Sequence, residues 1–192
     1  MNSGSPRRAE LVEAAYEYVL ANGLADVSLR PIAEAIGSST GVLRFLFGSR
    51  DGLVDAVLHR ARADELAMLE TLPAGGDLTT VAHAVWEWLA EPTHAGLLEL
   101  WTESYATSLR VDSGPWADFA RDTVRDWLAL LARAQPADVR NTAAGRAQRT
   151  AVLAVLRGAM LDLLATGDRT RTTRAVHAAM TAVAPLPAAR RT

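Results

Sequence analysis

Turn-forming residues divide this chain into helix-length segments, and this division constrains the fold more than any other feature. The breaks at 22–23, 37–39 and 48–49 separate three short segments, and longer segments follow them. Within the segments, apolar residues recur at three- and four-residue spacing, as at Leu11 and Ala15, which is the period of an amphipathic helix. No alternating apolar run is bounded by hairpin signals, so we predict an all-α fold.

The predicted helices are short at the start of the chain and longer afterwards. Ala, Leu and Arg dominate the composition, and these residues have high helix propensity. Ser5 can cap the first helix, and Pro6 suits its first position. The predicted helices cover 6–22, 29–36, 40–47, 50–70, 77–90, 94–110, 115–134, 142–166 and 169–184.

This change in helix length predicts two domains. A small three-helix module at 1–50 precedes a larger helical domain at 51–192. Within the larger domain, breaks at 73–76 and 112–115 separate the long helices, since both stretches combine glycine with proline.

The composition excludes several classes of site. The chain has no cysteine, which rules out disulfides, thiolate metal sites and thiol catalysis. Its four histidines show no HxxxH spacing and no catalytic group of side chains is recognisable, so we expect no metal, no cofactor and no enzyme. Apolar runs fall short of the roughly 18 residues that span a bilayer, and the N-terminus lacks an apolar signal region. A cytoplasmic protein without membrane contact is expected.

The charge balance does not indicate a nucleic-acid-binding protein. The net charge is −2, and all 20 residues counted as Lys or Arg are arginine. Residues 1–62 contain seven arginines and seven acidic side chains, so this third of the chain is neutral. Any DNA-binding surface must therefore depend on a local arrangement of arginines.

Two of the predicted helices form a helix-turn-helix pattern. The helix at 29–36 is followed by a glycine-containing turn and then by Thr40–Phe47, with Ser39 in the capping position. The segment VSLRPIAEAIGSSTGVLRFLFGSRDGLVDAVL resembles the DNA-binding signature of the TetR family of transcriptional regulators. The matching residues are Ser28, Arg30, Ile32, Ala33, Gly37, Ser39, Gly41, Leu43, Phe47, Ser49 and Leu53.

The resemblance covers about residues 8–60, and the order of the later helices also fits the family. It implies an N-terminal three-helix DNA-binding module followed by a larger helical domain for ligand binding and dimerisation. Four positions depart from the family pattern. Ser38 stands where the family has an apolar residue, and Arg44 stands where it has a tyrosine. Leu46 stands in place of a histidine or tyrosine, and Arg50 stands in place of a lysine. Contacts to the DNA backbone are therefore expected to depend on arginine.

The helix at 40–47 has two faces. At about 100° per residue, Leu43, Leu46 and Phe47 fall on one side, which we expect to pack in the core. The opposite side is the predicted DNA-binding face, and it carries Thr40, Gly41, Arg44 and Phe45, with Val42 at its border.

The chemistry of this face suits DNA. Arg44 can bind a phosphate or guanine, and Phe45 can pack on a thymine methyl group or a sugar. Free N–H groups at the helix start bind phosphate, and flanking arginines hold the backbone. The alternatives are a solvated Arg44 and a Phe45 that packs against another part of the protein. The predicted DNA-binding residues are Ser28, Arg30, Ser39, Thr40, Gly41, Val42, Arg44, Phe45 and Arg50.

The resemblance also implies a ligand pocket in the larger domain. All five tryptophans lie at 77–134, where large aromatic side chains with a few polar partners suit a flat, mostly apolar ligand. An ordinary hydrophobic core is the alternative explanation. The predicted ligand-binding residues are His83, Trp86, Trp101, Glu103, Tyr105, Trp116, Thr123 and Trp127.

Apolar stripes lie on the last two predicted helices. In the TetR family the equivalent pair forms a four-helix bundle with its mate, so the resemblance implies a homodimer. Packing within the chain is the alternative. The predicted interface residues are Leu156, Met160, Leu163, Val176, Ala179, Met180 and Val183.

These features together predict a ligand-responsive, DNA-binding transcriptional regulator. The resemblance implies a homodimeric repressor that binds near-palindromic double-stranded DNA and is released by a small-molecule effector. A helical ligand-sensing module without operator recognition is the alternative, because the N-terminal third is neutral and its recognition helix departs from the family pattern.

Overall fold

A computed structural model describes residues 6–24, 28–71 and 77–183, with the side chains of 69–71 excepted. These ranges contain helices and no strand, which confirms the predicted all-α class. No described helix combines the length and apolar character needed to cross a membrane. The helices are α1 Pro6–Asn22, α2 Leu29–Ala35, α3 Thr40–Phe47, α4 Arg50–Thr71, α5 Leu78–Leu89, α6 Ala95–Ser108, α7 Phe119–Arg133, α8 Ala137–Arg140, α9 Ala143–Thr166 and α10 Arg169–Ala182, with a 3₁₀ turn at Pro92–His94 before α6.

The helix ends follow the predicted breaks with two notable differences. Residues 115–118 were expected to be helical, but they form turns after Gly114, whose φ of 81° reverses the chain. The four-residue α8 was not predicted, since a single turn is too short to show a periodic pattern. Ser5, the predicted break at 73–76 and the predicted helix end at 184 lie outside the described residues.

The chain folds into two compact units. The first consists of Met1–Met68 and Glu99–Ala120, and the second of Leu69–Leu98 and Arg121–Thr192. Most of α6 therefore belongs to the same unit as the helix-turn-helix. The assignment of 1–50 to DNA binding and 51–192 to ligand binding and dimerisation remains a prediction.

An apolar core holds the N-terminal helices of the first unit together. Leu11 of α1, Ile32 of α2 and Leu43 of α3 are at most 2% exposed. Phe47 is also buried and Leu46 is half-buried, as the two-faced pattern of α3 predicts. Core packing therefore fixes one side of α3 and leaves the other free.

A polar network joins α1 to α4 in the same unit. The guanidinium of Arg60 donates to both carboxylate oxygens of Glu13, at 2.7 and 3.0 Å, and also to Asp64. Tyr16 donates its hydroxyl to Asp64 at 2.7 Å. Burial raises the pKa of Tyr16, and the hydrogen bond to Asp64 raises it further. Hydrogen bonds to Glu13 raise the pKa of Arg60.

The first turn of α4 lies very close to the end of α3, and this approach requires glycine. A Cβ atom on Gly52 would lie 2.0 Å from the carbonyl oxygen of Phe47, a backbone atom that cannot move aside independently. Ser49 caps α4 at this point, because its Oγ accepts a hydrogen bond from the Gly52 N–H at 3.1 Å. The start of α4 is thereby held beside the C-terminus of α3.

The second unit is built around α5, α9 and α10. Trp86 of α5 has no exposed surface, and its Nε1–H donates to Thr173 Oγ1 of α10 at 2.9 Å. Leu156 of α9 and Val176 and Met180 of α10 are each at most 1% exposed. These side chains form the apolar centre of the unit.

Candidate nucleic-acid interface and ligand-binding residues

Both ends of α3 are fixed by hydrogen bonds. Ser39 is the N-cap, and its Oγ accepts from the Val42 N–H at 3.2 Å. Gly48 ends the helix with a φ of 77°, and its N–H donates to the Arg44 carbonyl at 2.9 Å. This short helix is therefore a defined element that presents its outer side in one orientation.

The outer side of α3 is strongly exposed. Phe45 is 87% exposed and Val42 is 39% exposed. Phe45 therefore does not pack against the described protein, in contrast to one alternative drawn from the sequence. Arg44 is also exposed, and no carboxylate in the described ranges pairs with it. Phe45, Val42 and Arg44 are therefore accessible to another molecule on this side of α3.

An open groove lies next to this side of α3. Its volume is about 620 Å³, and it is formed by the starts of α2 and α4 and by one side of α3 as far as Gly48. Three guanidinium groups and three hydroxyl groups face it, all of which can donate hydrogen bonds to phosphate. The side chains that carry these groups are Arg30, Arg44, Arg50, Ser28, Thr40 and Ser49.

The structure thus brings together five of the nine predicted DNA-binding residues in one groove. Ser28, at the N-cap position of α2, makes no capping hydrogen bond with its side chain. Ser49 lines the groove without having been predicted, although its match to the TetR signature was a signal for it. Ser39 and Thr40 line a smaller recess beside Arg30.

Two of the groove arginines already have carboxylate neighbours. Arg30 Nε lies 3.0 Å from Glu34, and Arg50 Nη1 lies 3.4 Å from Asp51. Exposed ion pairs of this kind contribute little free energy, about 0–1 kcal/mol, because water screens them. Arg30 can therefore exchange its carboxylate partner for a phosphate at small cost.

Curated proteins that resemble this chain in sequence are DNA-binding regulators. The HTH-type transcriptional regulator BetI of Paraburkholderia phytofirmans is 27% identical over 133 residues, which cover 60% of this chain and 68% of that protein. BetI of Paraburkholderia xenovorans is 34% identical over 58 residues, which are 30% of each chain. No family model matches the chain.

Solved structures resemble almost the whole chain. A member of the TetR family from Streptomyces coelicolor A3 superposes with a TM-score of 0.73 and 24% identity, covering 95% of this chain and all of that one. The multidrug binding protein EbrR, solved with imidazole, superposes with a TM-score of 0.69 and 26% identity, covering 96% of this chain and 93% of its own. This chain has the fold of TetR-family regulators. The predicted resemblance is confirmed.

The eight predicted ligand-binding residues are divided between the two units. His83, Trp86, Thr123 and Trp127 belong to the second unit, and Trp101, Glu103, Tyr105 and Trp116 belong to the first. Trp86 is fully buried and bonded to Thr173, so its environment is that of a core residue.

Two predicted residues of the second unit have buried polar atoms without a partner among the described residues. These are Nε2 of His83 and Oγ1 of Thr123. A buried polar atom without a hydrogen bond is unfavourable by about 1–3 kcal/mol, so such atoms are uncommon in native proteins. A bound ligand with a polar group could satisfy them.

Glu103 and Trp116 belong to the first unit and contact the end of α1 and the start of α4. The Glu103 carboxylate accepts a hydrogen bond from the Leu24 N–H at 2.8 Å. The guanidinium carbon of Arg50 lies 5.7 Å from the Trp116 ring centroid, which is a cation–π arrangement. These long-range contacts join α6 and the segment after it to the end of α1 and the start of α4, and the sequence contains no local signal for them.

The structure corrects part of the predicted dimer interface. Leu156, Val176 and Met180 are covered by their own chain, so a partner cannot reach them. The hydrophobic stripes were assigned correctly to α9 and α10, but periodicity does not show which part of a stripe the chain itself buries. The predicted interface residues that keep accessible surface are Met160, Leu163, Ala179 and Val183.

A second, more exposed row of small and apolar residues follows α9. Leu161 is 49% exposed, and Ala154, Gly158 and Ala165 occupy the same side of the helix. Their spacing of three to four residues places them in one line along the helix. Gly158 was expected to allow close helix approach, but the row as a whole was not predicted, because alanine and glycine give a weak hydrophobic signal.

Proposed function

We propose that this chain is a TetR-family repressor that binds a near-palindromic operator as a homodimer and leaves it when a small, mostly apolar ligand binds. Such a protein acts where the DNA is, in the cytoplasm. The coarser function, DNA-binding regulation that responds to a ligand, follows from the family. The repressor role, the dimer and the operator symmetry are the proposed refinements.

The groove beside α3 carries the proposal. It collects Arg30, Arg44 and Arg50 in a third of the chain that is neutral in total charge. Phosphate contacts supply much of the affinity of a protein for DNA and make that affinity depend on salt. A local group of arginines therefore supplies the basic surface that the overall composition lacks.

Sequence-specific contacts would come from the outer side of α3. Arg44 can donate two hydrogen bonds to guanine, and the exposed Phe45 ring can contact a thymine methyl group. Gly41 has no side chain, so the start of the helix can approach the DNA closely. Ser28 and Ser49 at the helix starts would contact phosphates and fix the position of the module.

Homodimerisation would place two such helices on one face of the DNA. Two recognition helices that enter successive major grooves lie about 34–36 Å apart. The exposed row on α9, with Leu161 at its centre, is the surface that supports a partner contact best, because α9 is long and its small residues allow close helix approach.

The effector would be a flat and mostly apolar molecule with a polar group. EbrR has been solved with imidazole and with proflavin. In this chain, the unpaired atoms of His83 and Thr123 would supply hydrogen bonds, and buried aromatic rings such as Trp127 would supply apolar contact. Such a ligand lowers operator affinity only to the extent that it binds the released conformation more tightly than the DNA-bound one.

The test compares two DNA fragments in a fluorescence anisotropy assay. One is the promoter region beside the gene of this protein, and the other is a shuffled sequence of the same composition. Binding to the promoter fragment at least about a hundredfold tighter than to the shuffled fragment supports the proposal. Equal affinity for both fragments, or no binding at low salt, contradicts it.

A further inference from the structure

A second recess in the first unit has Arg50 in common with the DNA groove. It has a volume of about 360 Å³, at the lower end of the range of about 300–1,000 Å³ for ligand pockets. It is bounded by the end of α1, the start of α4, the second half of α6 and the segment after α6. The side chains that matter here are Arg50, Glu103, Thr107, Arg110 and Trp116, and we call this site the Trp116 recess.

The charges of the Trp116 recess favour an anion. Arg50 and Arg110 contribute two positive charges to the lining, and Glu103 contributes one negative charge. Asp51 does not line the recess, but its carboxylate lies 3.4 Å from Arg50 Nη1. The Glu103 carboxylate already accepts a hydrogen bond from the Leu24 N–H at 2.8 Å, so part of its hydrogen-bonding capacity is used. Arg110 is exposed and has no carboxylate partner among the described residues. A guanidinium in this state can bind a carboxylate through two parallel hydrogen bonds.

The shape of the recess favours an aromatic group. Trp116 is half-buried, and one guanidinium, that of Arg50, lies over its ring at 5.7 Å. Leu24 and Ala106 add apolar surface to the lining. An aromatic acid could therefore place its ring against Trp116 and its carboxylate between Arg50 and Arg110.

We propose that the Trp116 recess binds a small aromatic carboxylate and that the bound acid keeps Arg50 away from the DNA groove. Arg50 lines both sites, so its guanidinium cannot serve a bound carboxylate and a DNA phosphate fully at the same time. Binding of the acid does not depend on the proposed function, whereas its effect on DNA rests on it. By thermodynamic reciprocity, the acid and the DNA weaken each other's binding by the same factor.

Isothermal titration calorimetry of the full chain with two acids tests the binding. Benzoate and 2-naphthoate are the probes, and benzamide and 2-naphthamide are their neutral controls of nearly the same shape. We expect at least one acid to bind once per chain, and its amide to bind about tenfold more weakly, because the charge-assisted hydrogen bonds are lost. No saturable heat with either acid, or equal affinity for acid and amide, would overturn the proposal.

Two variants locate the bound acid. Arg110→Gln and Trp116→Leu should each weaken binding about tenfold, whereas Arg133→Gln, an exposed arginine of α7 in the second unit, should have no effect. Arg110 is exposed, so its replacement is compatible with folding, and circular dichroism checks the fold of Trp116→Leu. Binding that neither variant changes would place the acid elsewhere and refute the assignment.

The effect on DNA is measured with the promoter fragment and a saturating concentration of the acid that binds. We expect the dissociation constant for DNA to rise severalfold, and the neutral amide to leave it unchanged. Unchanged DNA affinity in the presence of bound acid would refute the competition for Arg50. Absence of any DNA binding without acid would instead refute the proposed function, and the calorimetric result would remain valid.

Discussion

The carboxylate of Glu103 accepts a hydrogen bond from the backbone N–H of Leu24 at 2.8 Å, although the two residues are 79 positions apart in the sequence. Leu24 is 2% exposed, so this N–H has little access to water. The bond fixes the end of α1 to α6 within the first unit. A helix that lies beyond the predicted DNA-binding module is thus bonded directly to it.

Removing this acceptor should destabilise the protein. We expect Glu103→Ala to lower the free energy of unfolding by about 1–3 kcal/mol, because it leaves the buried N–H of Leu24 unpaired. Glu103→Gln keeps an acceptor oxygen and should lose less. The exposed Glu99 on the same helix provides the control, and urea unfolding measures all three variants. A loss for Glu99→Ala as large as that for Glu103→Ala would show that the bond has no special role.

A methyl group at position 52 should disturb the junction of α3 and α4. We expect Gly52→Ala to cost about 1–3 kcal/mol, the usual range for overpacking, because its Cβ would lie 2.0 Å from the Phe47 carbonyl oxygen. At Gly41 the nearest atom to a new Cβ is Ser39 Oγ at 3.7 Å, an ordinary contact. Thermal unfolding should therefore show that Gly41→Ala is at least as stable as the parent chain. Equal stabilities of Gly41→Ala and Gly52→Ala would contradict the close approach of α4 to the end of α3.

The exposed row on α9 should control the oligomeric state. We expect Leu161→Lys to shift the protein from dimer to monomer, because a charge would be buried at the proposed interface. Leu109→Lys is the matched control, since Leu109 is an isolated apolar residue of the first unit that is 69% exposed. Sedimentation velocity distinguishes the two states. If Leu161→Lys remains a dimer, the interface lies on another surface.

Tyr16 should make the stability of the protein fall in alkaline solution. Its pKa is raised in the folded state by burial and by the hydrogen bond to Asp64, so the folded form retains the phenolic proton longer than the unfolded chain does. Stability is therefore complete below the unfolded pKa of about 10 and decreases as the pH rises above it. Unfolding measured at increasing pH should show a weaker decrease for Tyr16→Phe than for Tyr18→Phe. Equal decreases would exclude Tyr16 as the cause.

Local signals explain which parts of the structure could be predicted from the sequence. Ser39, Gly48 and the apolar spacing in between specify the start, the end and the buried side of α3, and all three are observed. The Arg50–Trp116 contact could not be predicted, because it joins residues far apart in sequence and neither is unusual in its own segment.

The predicted dimer interface depended on information that the sequence does not contain. Met180 and Leu161 are both apolar residues on helices of the same pair, yet one is 1% and the other 49% exposed. Hydrophobic periodicity identifies the helices that have an apolar side. It does not show how much of that side the chain covers itself, because this depends on packing between distant segments.

The most direct test of the central claim, that the outer side of α3 binds DNA, is the salt dependence of promoter binding by the parent chain and by Arg44→Ala. Arg44 has no carboxylate partner among the described residues and lines the groove at the exposed side of α3. We expect the affinity of the parent chain for the promoter to fall steeply as the salt concentration rises. Arg44→Ala should bind at least about 1 kcal/mol more weakly. If Arg44 contacts a phosphate, the slope of log affinity against log salt concentration should also be smaller by about one for this variant. An affinity and a slope that Arg44→Ala leaves unchanged would contradict the account.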